Sequence, residues 1–424
     1  MTVVTPTLAL RPRLQAGVCF VASFGTAKSL AVLGPLLLAR FLTPADYGAL
    51  ELALSIGLLI AVVSSLGIPL AVPQLYLALA RHRIEDLLAF QIFAVALLSG
   101  LALLLPWSLL PAGALGLGVS LAALFALQLA LSAYCRVRQA RLWSGWVDNL
   151  ALVLLPALVL GCYLASGRLV LRDVASACAV VPALVGGAAL LVFLRVRRPG
   201  FGAAYRDALW RGGPMMLNAT LMFCTASGLR LAIGRYLPLE DVAIYAFGAR
   251  LCLGLVLVHQ IGVTGLFARI YTLSAASADR GFAVGLAALV GLGLVLLAGF
   301  AVLGDRVSWG AVDMMAVRGL LPILCAQTVL WIVTAWLELP IGREGLAGAS
   351  VLLFGALLGG FVAAVVALDA LGGLGLTSIS VVFTGFLLLC VLGQIRLLAR
   401  RGLRFTRLLR ALPLVALLPL ACVL

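Results

Sequence analysis

The chain has 424 residues, of which 64% are apolar (AVILMFWYC) and only 11% charged, against ~45–50% and ~25% in an ordinary soluble domain. That composition excludes a water-soluble enzyme and a disordered scaffold, because too little polar surface remains to face water. The net charge of +15 would indicate nucleic acid in a soluble protein. In so apolar a chain it indicates inner loops held against anionic lipid, and no nucleic-acid partner.

In chain order, the apolar runs long enough to cross a bilayer of ~30 Å fall at 15–39, 47–68, 87–105, 114–134, 147–166, 175–194, 214–234, 242–266, 281–304, 319–341, 345–368 and 375–398. The first run is too long for a signal-peptide core and reads as a span. After the second run, Pro69 and Pro73 predict that the helix ends, with 69–80 as an interfacial elbow. The apolar tail 411–424 is short for a span; it reads as a re-entrant or interfacial piece, or a shortened thirteenth helix. The fold class is therefore an all-α polytopic membrane protein of about twelve transmembrane helices.

With the N-terminus inside, the inner segments carry 20 basic residues (within 11–13, 81–83, 136–141, 195–211, 269–280, 343 and 400–410). The outer loops carry six: Arg40, Arg168, Arg172, Arg235, Arg306 and Arg318. This asymmetry sets both termini in the cytoplasm. The inner segment 195–213 divides the chain into a six-helix bundle at 1–194 and a second at 214–410. The two are related in sequence. Arg40 to Asp46 follows the first span and Arg235 to Asp241 follows the seventh, at an offset of 195 that continues to Gly67/Gly262 and Tyr76/Tyr271. Six spans per half give a parallel repeat about an axis along the membrane normal, an architecture that suits transport by rocking.

The charges inside the spans are the candidate functional residues, because a central Lys or Arg costs ~2.5–3.5 kcal/mol to insert. Lys28, the sole lysine, lies about 18 Å from the outer end of its span at 1.5 Å per residue. By the same rise Arg250 lies ~13.5 Å deep and Arg230 ~7.5 Å deep. Together they predict a cationic cavity that binds an anionic group; the alternative is structural pairing, for instance of Lys28 with Glu51. Glu51, Asp148 and Glu338 are the acids within spans, with possible coupling or gating roles. Asp148, at the start of the fifth span, reads as a cap or dipole partner. His259 reads as a packing histidine. The outer-loop Arg40 and Arg235 sit at helix C-termini, where the helix dipole favours a cation; with Asp46 and Asp241 they read as structural turns. Seven of the nine cysteines fall in apolar runs, so no disulfide, metal site or cofactor is expected. No phosphate-binding glycine loop stands in a strand-turn-helix context, and the ~14-residue outer loop 305–318 lacks paired carboxylates. The chain reads as a transporter and not an enzyme.

Leu38-Ala39-Arg40-Phe41-Leu42-Thr43-Pro44-Ala45-Asp46-Tyr47-Gly48 resembles the first-loop signature of the Wzx-type polysaccharide flippases, members of the multidrug/oligosaccharidyl-lipid/polysaccharide exporter superfamily. The stretch from Gly213-Pro214 through Leu229-Arg230-Leu231-Ala232-Ile233-Gly234-Arg235-Tyr236-Leu237 to Glu240-Asp241-Val242-Ala243-Ile244-Tyr245 resembles the start of that family's second half. Where the family often has Asp before the arginine of the seventh span, this chain has Leu229, so Arg230 takes its partner from elsewhere or faces water or an anionic ligand. The resemblance implies a flippase in the bacterial inner membrane. It would move a polyprenyl-pyrophosphate-linked oligosaccharide, an O-antigen or exopolysaccharide repeat unit, between leaflets by alternating access. Partners would be the lipid-linked substrate, the bilayer, and glycosyltransferases or a polymerase of the same pathway. The competing readings are a multidrug/cation antiporter of the same superfamily, which would need an acidic cavity, and a polyprenyl-glycan polymerase or ligase.

The charge asymmetry makes a direct prediction. On a background without native cysteines, a single cysteine placed within 195–213 is protected from an impermeant thiol reagent in whole cells; labelling there inverts the topology.

Overall fold

The computed structural model describes residues 10–73, 91, 95–98, 100–101, 114–137, 141–167, 174–175, 178, 180, 183–184, 186–187, 191, 203–303 and 312–421. Among these residues the regular structure is entirely helical. The reason is the solvent: lipid offers no hydrogen bonds, so each apolar segment must satisfy its own backbone, and the α-helix does so within one segment.

The described helices, in order, are α1 (Leu10–Leu38), α2 (Pro44–Ser64), α3 (Ile68–Pro73), α4 (Ala114–Val137), α5 (Arg141–Val147), α6 (Leu150–Ser166) and α7 (Ala203–Tyr236). Then come α8 (Leu239–Thr272), α9 (Ala275–Leu303), α10 (Met314–Arg343), α11 (Ala347–Ala370), α12 (Leu376–Ala399) and α13 (Thr406–Ala411), a 3₁₀ turn at Leu412–Ala416, and α14 (Leu417–Leu420). Eight contain stretches long and apolar enough to cross a membrane, and Ala22–Leu38 and Leu150–Ala165 are shorter apolar stretches. The protein is an all-α polytopic membrane protein. The expected spans 87–105 and 175–194 fall largely outside the described residues.

Three boundaries differ from the hydropathy reading. Helix α7 begins at Ala203, inside the segment read as an inner loop, and continues through Pro214. Hydropathy marks the part of a helix suited to lipid and misses polar turns, here with Arg206, Asp207 and Arg211, that extend it into the interface. Second, a short helix precedes the fifth span with a gap between them: α5 stops at Val147 and α6 starts at Leu150. Gln128 on α4 bridges the gap, its Nε2 donating to the Asp148 carbonyl (2.9 Å) and its Oε1 accepting from the Ala151 N–H (2.9 Å). A helix break inside lipid persists when a neighbour supplies the lost partners. Third, the tail helix starts at Thr406, ahead of the apolar run 411–424; it is short, as that run predicts, and packs on α9 and α10. It buries Leu408, Leu412, Val415 and Leu418, and tightens to 3₁₀ where Pro413 removes a donor. The Asp279 carboxylate caps its start by accepting from the backbone N–H of Arg407 (3.0 Å) and Leu408 (2.9 Å). Helix α2 ends at Ser64, ahead of the prolines expected to end it: Leu66 (φ 49°) and Gly67 (φ 72°) separate it from α3, which contains both Pro69 and Pro73. The rest of 69–80 lies outside the described residues.

By packing the chain falls into two compact units. One comprises Met1–Leu37, Ile60–Leu109 and Val119–Met216. In it, α1 runs beside α5 and α6: Trp146 Nε1 donates to Ser23 Oγ (3.1 Å), and a Cβ on Gly34 would strike the Pro156 ring. The other comprises Leu38–Leu59, Leu110–Gly118 and Leu217–Leu424. Its centre is α10, the most buried of the long helices, packed by α8, α9 and α12. Helix α11 is peripheral: Leu352, Val362 and Val366 are exposed, as on a surface that meets acyl chains.

Candidate functional site: a carboxylate shared by two guanidinium groups

Helix α2 carries Tyr47, Glu51 and Ser55 four residues apart, which places three polar side chains on one face. That face meets α7 and α8 at close range, because small residues stand at the contacts. A Cβ on Gly48 would collide with the Leu239 carbonyl oxygen, and one on Gly234 would come 2.7 Å from the Leu52 side chain.

Glu51 is fully buried, and two arginines converge on it. Arg250, from α8, donates its Nε–H to Glu51 Oε1 in a direct ion pair, and its side chain is only 6% exposed. Arg230, from α7, reaches Glu51 differently. Its Nη1 lies 3.2 Å from Glu51 Oε2 as a charge contact, while its hydrogen bond goes to Ser55 Oγ (3.1 Å). The Arg230 side chain is 15% exposed, and its buried Nε has no hydrogen-bond partner. The Ser55 hydroxyl donates in turn to the Glu51 carbonyl (3.2 Å). The Tyr47 phenol is buried beside the same carboxylate, without a hydrogen bond of good geometry. Among the described residues, two cations thus meet one anion, and the cluster keeps one positive charge in excess inside an apolar protein. Of the alternatives that Leu229 left open, the structure shows Arg230 with partners elsewhere, Ser55 and Glu51 on α2.

Lys28 belongs to the other compact unit, and its acidic neighbour is Asp148, not Glu51. Contacts of Phe24 with Gly145 and of Gly34 with Pro156 set α1 beside the fifth span. That register brings Lys28 level with the break between α5 and α6, where Asp148 stands. Its ammonium also lies 5.9 Å from the centre of the Phe24 ring, a cation–π distance. Asp148 precedes the α6 cap residue Asn149, and its carboxylate accepts from Ser132 Oγ. It therefore stands at the N-terminus of α6, at the start of the expected span 147–166, as expected of a dipole partner.

Glu338 is held by neutral donors: Ser350 Oγ (2.7 Å) from α11 and Gln394 Nε2 (2.8 Å) from α12 both donate to its Oε1. Arg40 and Arg235 are exposed at the ends of their helices, Arg235 over the Tyr236 ring. Next to Arg40, Asp46 and Thr43 exchange hydrogen bonds that begin α2. His259 accepts from Trp336 Nε1 (2.8 Å), a packing contact. Sequence reading passed over Tyr47 and Ser55, although the four-residue spacing about Glu51 marks them. It also passed over Gln128 and Ser132, which stand four apart on α4.

A model of a family described as polysaccharide biosynthesis protein matches residues 15–267. The chain belongs to that family. Both stretches that resemble the Wzx-type flippases lie inside the matched segment, as do Lys28, Glu51, Asp148, Arg230 and Arg250. No curated protein matches the chain. Two solved structures are similar to it. A multidrug resistance MATE family transporter of the MOP superfamily, in an inward-facing conformation, is 15% identical, with 93% of this chain and 95% of that chain covered at a TM-score of 0.49. The eukaryotic MATE transporter AtDTX14 is 14% identical, with 94% and 97% covered at a TM-score of 0.45.

The cluster of this family member makes a stability prediction. Glu51→Ala leaves two buried guanidinium groups without a counter-charge, at a cost of about 3–5 kcal/mol. Arg230→Gln leaves the neutral Glu51–Arg250 pair intact. Thermal unfolding of the two variants in detergent therefore gives a clearly lower midpoint for Glu51→Ala; equal midpoints would show that charge pairing does not hold this cluster.

Proposed function

We propose that this member of the polysaccharide biosynthesis family is a flippase. It moves a polyprenyl-pyrophosphate-linked oligosaccharide, an O-antigen or exopolysaccharide repeat unit, from the cytoplasmic to the periplasmic leaflet of a bacterial inner membrane by alternating access. The observation that carries this reading is the excess positive charge of the Glu51–Arg230–Arg250 cluster inside the apolar part of the chain. Such a charge is costly in lipid and earns its place by meeting an anion. The proposed cargo has a diphosphate of about two negative charges, a polar glycan and an apolar tail. A cationic cavity receives the head, while the tail stays in the bilayer.

In this reading Lys28, Arg230 and Arg250 form the cationic lining, with Lys28 held near Asp148 until substrate arrives. Asp148 and Glu338 are the carboxylates placed to couple or gate the cycle, and Arg40 and Arg235 order the outer turns. The two sequence halves, 1–194 and 214–410, are the bundles that rock. Both termini and the arginine-rich segment 195–211 face the cytoplasm, where glycosyltransferases or a polymerase of the pathway would dock. A cation antiporter would need uncompensated acids, and in this cluster the excess is positive.

Complementation tests the proposal. In a strain lacking this protein, the wild-type chain restores surface polysaccharide, whereas Lys28→Ala and Arg230→Ala fail to do so at normal membrane levels of protein. Full restoration by both variants would remove the cationic cavity from the mechanism.

A further inference from the structure

Within the Glu51 cluster the two arginines are not equivalent, and the difference assigns them separate roles. Arg250 makes the direct Nε–H to Oε1 ion pair, with its side chain 6% exposed. Arg230 gives its hydrogen bond to a neutral serine, lies 3.2 Å from Glu51 Oε2 without hydrogen-bond geometry, is 15% exposed, and keeps an unused N–H at Nε. One carboxylate neutralises one guanidinium. If Arg230 leaves, Glu51 and Arg250 remain a neutral buried pair. If Arg250 leaves, the better hydrogen bond is lost and a nearly sealed cation is stranded, which is the costlier step.

We infer that Glu51 is the permanent counter-ion of Arg250 and the displaceable counter-ion of Arg230, so that the cluster presents a single exchangeable guanidinium, with Ser55 beside it, as a subsite for one phosphoryl group. This rests on the proposed reading of the cationic cavity and narrows it. Arg250 becomes a positioning residue that occupies Glu51, and Arg230 becomes the residue that touches the ligand. Phosphoryl oxygens suit the vacated guanidinium edge, because a planar fork of N–H donors matches two oxygens at once. Each phosphoryl group of a disubstituted diphosphate bears one negative charge, as Glu51 does, and offers two oxygens to Arg230 without stranding any other ion. Two sources share this chemistry: the diphosphate of a polyprenyl carrier and the headgroup of a bulk anionic lipid.

Titration of inorganic pyrophosphate into the purified full-length protein in neutral detergent tests the inference. Arg230→Gln weakens binding about tenfold or more, the loss of a charge-assisted contact. Arg250→Gln also weakens it, because Arg230 is then the only partner of Glu51. The decisive variant is the double substitution Glu51→Gln with Arg250→Gln, which frees Arg230 and restores binding to wild-type strength or tighter. Failure of the double variant to regain binding would mean that Arg250 itself contacts the ligand, and would overturn the inference while leaving a cationic cavity in place. Binding by Arg230→Gln equal to wild type, but lost in Lys28→Gln, would likewise overturn it and keep the cavity reading. Absence of pyrophosphate binding by the wild-type protein would count against the cavity reading itself. Phosphatidylglycerol added to the micelles separates the sources. Pyrophosphate binding that survives an excess of it assigns the subsite to the carrier diphosphate, and full competition at equal concentration assigns the exchangeable guanidinium to bulk headgroups and overturns its role in cargo binding.

Discussion

Two guanidinium groups drawn to one carboxylate, in a region where lipid cannot solvate charge, hold α2, α7 and α8 together in the second compact unit. A single buried cation is costly in a bilayer, and a neutral pair is tolerable. The Glu51 cluster stands between these cases. Its carboxylate ties α2 to α7 and α8, and this needs backbones close enough for side chains of ordinary length to meet. Gly48 against the Leu239 carbonyl and Gly234 against Leu52 provide that approach. Packing of small residues and pairing of charges are thus one arrangement: the glycines set the helix spacing, and the ions use it.

The other compact unit solves a related problem with backbone groups. Between α5 and α6 the helix is broken at Asp148 and Asn149, and the Gln128 side chain supplies a donor and an acceptor there. Level with this break stands Lys28. Each unit therefore holds one or more intramembrane cations beside a single carboxylate, Asp148 in one and Glu51 in the other. Among the described residues, only around Glu51 do the cations outnumber the carboxylate, two to one.

Much of this was legible in the sequence, and the limits have physical causes. Apolar run lengths located α2, α4 and α8 to α12 because lipid demands helices of that length, and hydropathy measures the same demand. It missed the start of α7 at Ala203, since polar interfacial turns are helical without being apolar. The break at Asp148 was invisible because its compensation comes from Gln128, some twenty residues away. Lys28, Arg230 and Arg250 stood out as charges at costly depths, and Glu51 stood out for the same reason. Their partners did not follow: nothing in a linear pattern says that Glu51 meets Arg230 and Arg250 while Asp148 acts on Lys28. Tyr47 and Ser55 were nearer to hand, since a polar stripe at four-residue spacing about a buried acid marks a helix face turned toward other polar groups.

In the proposed mechanism one positive charge in excess, presented by Arg230, carries an anionic head group across the membrane. The most direct measurement uses proteoliposomes and a fluorescent short-chain polyprenyl diphosphate-linked saccharide, with transfer between leaflets followed by quenching of the accessible dye. Wild-type protein should speed transfer of this lipid and not that of an analogue in which an uncharged linker replaces the diphosphate, while folded, correctly reconstituted Arg230→Gln should show only the protein-free rate. Equal transfer of the charged and uncharged lipids, or a wild-type rate from Arg230→Gln, would contradict the claim.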